Sequence, residues 1–216
     1  MEIDPLSLAP ADRYKLLIGG VVPRPIAFVS TIAPSGGKAN LAPFSFFTAV
    51  GSNPMTLLFC PANKPDGSEK DTLINCKPVS EGGQGEFVVN VASEEYAAKV
   101  ALAGEPLPYG QSEFDLTGLT TAPSVKVRPP RVAQSPIAFE CRTLRVIRTN
   151  PGAVAGGNIV LGEVVHVFVH QSAINDRLHI DPEIVRAFGR MGGSTYCKTR
   201  DRFDMPVGLA AGPRTT

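Results

Sequence analysis

RPIAFVSTIAPSGGKANLAPFSFF, residues Arg24 to Phe47, is the stretch whose reading decides the fold. Pro25 to Ile32 is rich in β-branched and aromatic residues, which suit a pleated, half-buried strand. Ala33-Pro34-Ser35-Gly36-Gly37 then supplies the Pro, Ser and Gly of a chain reversal. Asn40 to Phe47 mixes small polar side chains with a proline and three aromatics. A segment serving only a core seldom interrupts its aromatics that way. A surface for a flat, polar-edged aromatic ligand needs both kinds of group.

Upstream, residues 11–18, ADRYKLLI, closed by Gly19-Gly20, predict a short helix with a glycine stop. Downstream, Asn53-Pro54 marks a turn, and Met55 to Cys60 is a short apolar run of the buried-strand kind. Pro61 to Gly67 is loop. Ser68 is then the expected cap of a helix over 69–76, with Asp71 accepting back toward it. Phe87 to Val91 reads as a strand, and Ser93 as the cap of a helix ending at Gly104. Residues 104–135, broken by prolines and glycines, are expected to wrap over the surface.

Ile137 to Arg148 is a long strand whose alternation changes phase at Leu144 and Val146, as a β-bulge would make it. Asn158 to His170 is its partner across the loop at Asn150-Pro151-Gly152. Past about Val207 the pattern stops, and a mobile tail is expected. With no repeat and no linker, one domain over 1–216 is the reading, its core at about 20–206.

Gly 21 and Pro 20 in 216 residues imply many turns and a β-rich fold. A chain of this length buries roughly 70% of its unfolded surface in one core. A formal charge of +1 gives no global pull toward nucleic acid or an anionic membrane, and neither is an expected partner. No apolar run approaches the ~18 residues of a bilayer span, and Met1-Glu2-Ile3-Asp4 lacks the regions of a signal peptide. Four dispersed cysteines read as free thiols in a reducing compartment, so a cytoplasmic location is expected.

The strongest local site is Asn63 to Thr72, NKPDGSEKDT. The first turn of a helix presents unpaired N–H groups that suit an anion. Lys64 and Lys70 add charge, and Ser68 and Thr72 add hydroxyls, a combination fitting a phosphate monoester. A capped surface helix flanked by solvated lysines uses the same residues, and Glu69 and Asp71 fit it well. The aromatic 40–47 segment and this loop are joined by one strand, so together they match the two ends of FMN.

Read in order, RPIAFVST, NLAPFSFF, NPMTLLFC, Lys70-Asp71-Thr72, EFVVNV, YGQSEFDLTGLTTAPS, PPRVAQSPIAFEC, LGEVVH and Gly189-Arg190-Met191-Gly192-Gly193 with Tyr196 resemble the flavin reductase-like, FMN-binding split barrels of the flavoredoxin kind. That resemblance implies a mainly β, six-stranded Greek-key split barrel, forming a homodimer with FMN near the subunit interface. It places Ser30 and Thr31 by the ribityl chain and phosphate. Asn40, Ala42, Pro43, Ser45, Phe46 and Phe47 border the isoalloxazine. Lys64, Ser68, Lys70 and Thr72 are the candidates for the phosphate, and Arg190 and Tyr196 lie in a segment closing over the ring.

The implied activity is hydride transfer from NADH or NADPH to the flavin, then to free flavin, ferric iron or oxygen, with a partner monooxygenase among the consumers. The cofactor performs that chemistry, so no catalytic side chain is assigned. Backbone N–H groups around Ser45 to Phe47 are the expected stabilisers of a reduced, anionic ring. A non-catalytic FMN electron carrier, or a split barrel for another ligand, is the rival reading. No metal is expected: His166 and His170 on one strand are about 13 Å apart.

Overall fold

The computed structural model describes residues 1–206 and 208. Its centre is a seven-stranded antiparallel sheet built from β1 (Ala27–Ile32), β2 (Ala39–Phe44), β3 (Phe47–Ser52), β4 (Met55–Phe59), β5 (Glu86–Val91), β8 (Ile137–Arg148) and β9 (Asn158–Val169), in the order β2-β1-β5-β8-β9-β4-β3. Two short ribbons flank it: β6 (Thr121–Ala122) with β7 (Arg131–Val132), and β10 (Phe188–Arg190) with β11 (Tyr196–Lys198). The fold is the mainly β split barrel. It has one strand more than the six expected, because the Asn53-Pro54 turn joins β4 to a strand, β3, that the sequence reading missed. Its residues are almost wholly exposed, so no inward apolar alternation announces it.

Side-chain alternation along β1 divides the interior in two. Ala27 and Val29 enter a core with Phe44, Phe59, Phe87 and Val160, where the Phe59 ring lies 5.2 Å from both Phe44 and Phe87. Ile26 and Phe28 point the other way, into a second core with Leu41, Val100 and Phe114. Helices α3 (Ala97–Leu102) and α4 (Glu113–Thr117) cover that outer face. Gly162 permits the first core: a Cβ there would sit 2.4 Å from the Phe87 ring.

The β8–β9 hairpin forms as read, with register shifts at Glu140/Cys141 and Thr143/Arg145, the second at the predicted phase change. Residues 104–135 carry α4, a helix missed because it is only five residues long. The helix α1 (Pro10–Gly20) runs through Gly19-Gly20 and is capped at Val21, so the glycines end it from inside its last turn. The helix predicted over 69–76 is α2 (Asp71–Cys76); α5 is a single turn, Pro182–Val185. The expected tail past 207 lies, except for Gly208, outside the described residues.

Candidate functional site

Antiparallel register sets Thr31 directly opposite Asn40, so both project into the same end of the barrel. Helix α2 packs across that end and adds Thr72 and Asn75. The Asn40 Oδ1 accepts from Thr72 Oγ1 at 2.8 Å and from Thr31 Oγ1 at 3.2 Å. Asn75 Nδ2 donates to Thr31 Oγ1 at 3.1 Å, and the Tyr109 hydroxyl donates to Asn75 Oδ1 at 3.1 Å. Beneath them lies Glu113, buried at the start of α4. It accepts from Asn40 Nδ2 at 3.0 and 2.9 Å and from Leu41 N–H at 2.8 Å. Burial pushes the Glu113 pKa up, against the pull of those donors.

Above this network sits the N-terminus of α2. Its cap residue is Lys70, which supplies no side-chain hydrogen bond to the first turn. Ser68 does not cap it, contrary to the sequence reading. Its N–H and hydroxyl both turn to Asp66 Oδ1, at 2.9 and 2.6 Å, closing the PANKPDG loop on itself. Asn63 anchors the loop, taking an N–H from Asn158 at 2.8 Å and donating to the Ala153 carbonyl at 2.9 Å. Gly67, at φ +83°, passes so close to Gly152 that a Cβ would meet its carbonyl oxygen at 2.2 Å.

The two lysines differ in their surroundings. Lys64 pairs with Asp71 at 2.7 Å. The Lys70 ammonium lies 5.9 Å from the centre of the Phe44 ring. Although the residue is exposed along its length, burial of the ammonium group and then the like charge of Lys64 lower the Lys70 pKa. An uncapped helix start beside a crowded cation is chemically suited to an anion.

At the far end of β2 the chain turns through Ser45 and Phe46, both half-buried. Arg24 reaches them from beneath. Its Nε donates to Ser45 Oγ at 3.2 Å, and its guanidinium carbon lies 5.8 Å from the Phe46 ring centre. The Phe46 carbonyl accepts from the N–H of Cys60, whose thiol pKa is pushed up by burial. Phe47 packs partly against the main core, and Ala42 does the same. Pro43 is half-buried, and a Cβ on Gly104, just past α3, would come within 3.9 Å of its ring. Arg190 pairs backbone to backbone with Arg24, stacks its guanidinium 4.4 Å from the Tyr196 ring centre and donates to the Gly193 carbonyl.

A model of the flavin reductase like domain matches residues 19–189 of this sequence. The chain belongs to that family. An uncharacterized protein of Deinococcus radiodurans is 38% identical over 210 residues, spanning 94% of this chain and 88% of its own. Among solved structures, nitrilotriacetate monooxygenase component B from Bacillus cereus is similar at a TM-score of 0.86, with 30% identity over 95% of this chain and 98% of that one. The 2-nitrobenzoate 2-nitroreductase NbaA of Pseudomonas fluorescens gives 0.84, with 29% identity over 100% of both chains. This flavin reductase-like protein is thus a flavin-linked oxidoreductase by family.

The geometry sorts the expected flavin residues of this family member. Thr31, Asn40 and Thr72 converge, with Lys64 and Lys70 beside them, and Ser45 and Phe46 form a second group at the other end of the same strand. Ser30 joins neither. Adjacent strand residues face opposite ways, and its hydroxyl donates to the Pro130 carbonyl at 2.5 Å on the outer face. The hydroxyl protons of Thr31 and Thr72 are likewise directed to Asn40 in the interior.

Arg24, Asn75, Tyr109 and Glu113 were not singled out by sequence. Arg24 stood in plain view, flanked by two prolines at the head of the deciding stretch with no acid near it. There are open cavities of about 420 and 440 Å³, the first beside Ala97, Ala101, Phe188 and Tyr196, the second beside Lys38, Leu107 and Leu116. Neither is lined by Ser45, Lys64 or Lys70.

Proposed function

We propose that this protein binds FMN along β2 and uses it to carry electrons from NADH or NADPH to free flavin, ferric iron or oxygen. The observation that carries the reading is the pair of complementary seats at the two ends of one strand. Lys64, Lys70 and the uncapped first turn of α2 suit a phosphate, and Ser45, Phe46 and Phe47 suit a polar-edged ring. A six-residue strand at ~3.3 Å per residue spans about 20 Å, the scale of a ribityl-linked ring and phosphate.

Bound FMN would supply the acceptance and release of hydride at its ring. The chain's own residues would hold and shield it. Lys70, at the start of α2, would meet the phosphate dianion with a charge-assisted hydrogen bond. Lys64 would share that load with Asp71. Ser68 and Thr72 hold their neighbours in place, Ser68 by closing the loop and Thr72 by fixing Asn40. Arg190 and Tyr196, stacked on one another, would form a wall of the ring seat joined to Arg24 through the backbone.

We further propose that a second copy of the chain completes the site. Every residue of α1 is at least partly exposed, Tyr14, Leu16 and Leu17 face solvent, and Tyr14 lies 6.4 Å from the Phe46 ring. Val50 on β3 and Met55 on β4 are exposed as well, so apolar side chains of α1 and the β3–β4 hairpin are left uncovered. The component B likeness supports a partner monooxygenase as a consumer of reduced flavin.

The test is an absorbance titration of the purified protein with FMN and riboflavin, followed by NADH and then NADPH without oxygen. Flavin bands that bleach with a nicotinamide establish the reductase and choose its donor. Bands that bleach only with dithionite replace it with the electron carrier, and a chain that binds no flavin overturns the assignment.

A further inference from the structure

Arg24 is a buried cation with no anion beside it. The residue is 3% exposed. Its guanidinium makes four hydrogen bonds, all to neutral oxygens: the Ile18 carbonyl at 2.7 Å, the Val21 carbonyl at 2.8 Å, the Met191 carbonyl at 3.0 Å and Ser45 Oγ at 3.2 Å. Among the described residues it enters no ion pair. Removing a full charge from water costs several kcal/mol even after relaxation, and carbonyl dipoles offset only part of that. A clamp between α1, β2 and the segment after β10 needs donors; it does not need a charge.

The position of Ser45 gives the charge a use. Its oxygen is the acceptor of the Arg24 Nε–H, and its own hydroxyl proton has no acceptor among the described residues. That proton is therefore left to donate outward from a half-buried position, next to a ring, Phe46, that faces the same guanidinium. A hydroxyl that accepts from a cation is polarised and becomes a stronger donor.

We infer that Arg24, acting through Ser45, sets the redox balance of the flavin seat by favouring the reduced ring over the oxidised one. The inference rests on the FMN reading above. Hydride brings two electrons and one proton from the nicotinamide, and the reduced ring carries one more negative charge than the oxidised ring. The field of the Arg24 guanidinium opposes that added charge. It is a positioning residue: the contact with the ring is made by the Ser45 hydroxyl.

The experiment compares the wild type with Arg24→Gln, Arg24→Lys and Ser45→Ala. FMN affinity is measured by titration of the oxidised flavin, and the midpoint potential of bound FMN by equilibration with a reference dye. The expected result for Arg24→Gln is a loss of about tenfold in the preference for reduced over oxidised FMN, or ~30 mV lower for a two-electron couple. Arg24→Lys keeps the charge and recovers most of the potential. Should Arg24→Gln fail to fold, Ser45→Ala carries the test, since it leaves three of the four Arg24 bonds in place; it is expected to lower the preference for reduced over oxidised FMN severalfold, with a matching fall in potential. Variants that bind FMN at the wild-type potential overturn the inference and leave Arg24 a structural clamp. A wild type that binds no flavin overturns the FMN reading instead, and the inference with it.

Discussion

The two ends of β2 each rest on a buried ionisable side chain that enters no ion pair among the described residues, and they treat it in opposite ways. At the Asn40 end that side chain is Glu113. Its oxygens are met by the Asn40 amide and the Leu41 N–H, and the Asn40 carbonyl is met in turn by two threonine hydroxyls. Everything there is closed. At the Ser45 end the charge is Arg24, and the last group in its chain of donors, the Ser45 hydroxyl, has no acceptor among the described residues. A satisfied buried network fixes geometry, whereas one left a bond short is ready for a ligand. The Asn40 end thus carries a closed scaffold beneath the proposed phosphate seat, and the Ser45 end a seat left a bond short.

The largest expected effect lies at the closed end. Glu113→Ala strands the Asn40 amide and the Leu41 N–H without acceptors, and each orphaned donor costs about 1–3 kcal/mol. Urea unfolding should show a loss of about 3 kcal/mol, with FMN and riboflavin affinities falling together. Glu113→Gln should lose less, and the pH dependence gives its sign. Burial raises the folded pKa above the unfolded one, so the folded state binds the proton more tightly. The wild type should therefore gain stability over Glu113→Gln as the pH falls through the weakly acidic range. An Arg24→Gln variant more destabilised than Glu113→Ala would break the comparison, because the open end would then be the scaffold.

Next in size is the phosphate seat. Lys64→Ala with Lys70→Ala should weaken FMN roughly 100-fold, about 2.7 kcal/mol, with riboflavin nearly unchanged, because hydrogen bonds to charged groups contribute ~1.5–3 kcal/mol each. Equal weakening of both ligands would remove the phosphate from this end of β2. The Lys70 pKa is lowered, by burial first and by Lys64 second, so the preference for FMN should fade with rising pH sooner than an ordinary lysine would allow. Lys64→Ala alone removes the like charge and should move that alkaline limb upward.

How much of this was legible follows from the range of each interaction. The turn at 33–37, the strands read at 25–32, 55–60 and 87–91, and the bulged 137–148 strand are written in local composition and alternation, and they stand within two residues of where they were read. Strand β3 was not legible because one exposed face gives no period. The helix start was misplaced because Ser68 matched a cap by type while its hydroxyl found Asp66 two residues away, a shorter loop to close. Glu113 and Arg24 lie 73 and 21 residues from the β2 groups they hold, Asn40 and Ser45, and no spacing rule reaches that far. Ser30 and Thr31 were read as a pair because they are neighbours in sequence; the pleat alone separates them, and that rule was available.

The smallest effect tests which end Thr72 serves. Its side chain is 2% exposed and its hydroxyl proton is used on Asn40, so it belongs with the scaffold although the sequence placed it among the phosphate ligands. Valine matches its shape and removes only the hydroxyl. Asn40 Oδ1 keeps the Thr31 hydroxyl at 3.2 Å, so one hydrogen bond is lost and no group is orphaned. Thr72→Val should therefore cost about 1 kcal/mol in urea unfolding and leave the ratio of FMN to riboflavin affinity unchanged. A selective loss of FMN would mean that the hydroxyl rotates from Asn40 to the phosphate on binding. The closed end of β2 would then open when the ligand arrives, and scaffold and seat would be two states of one network.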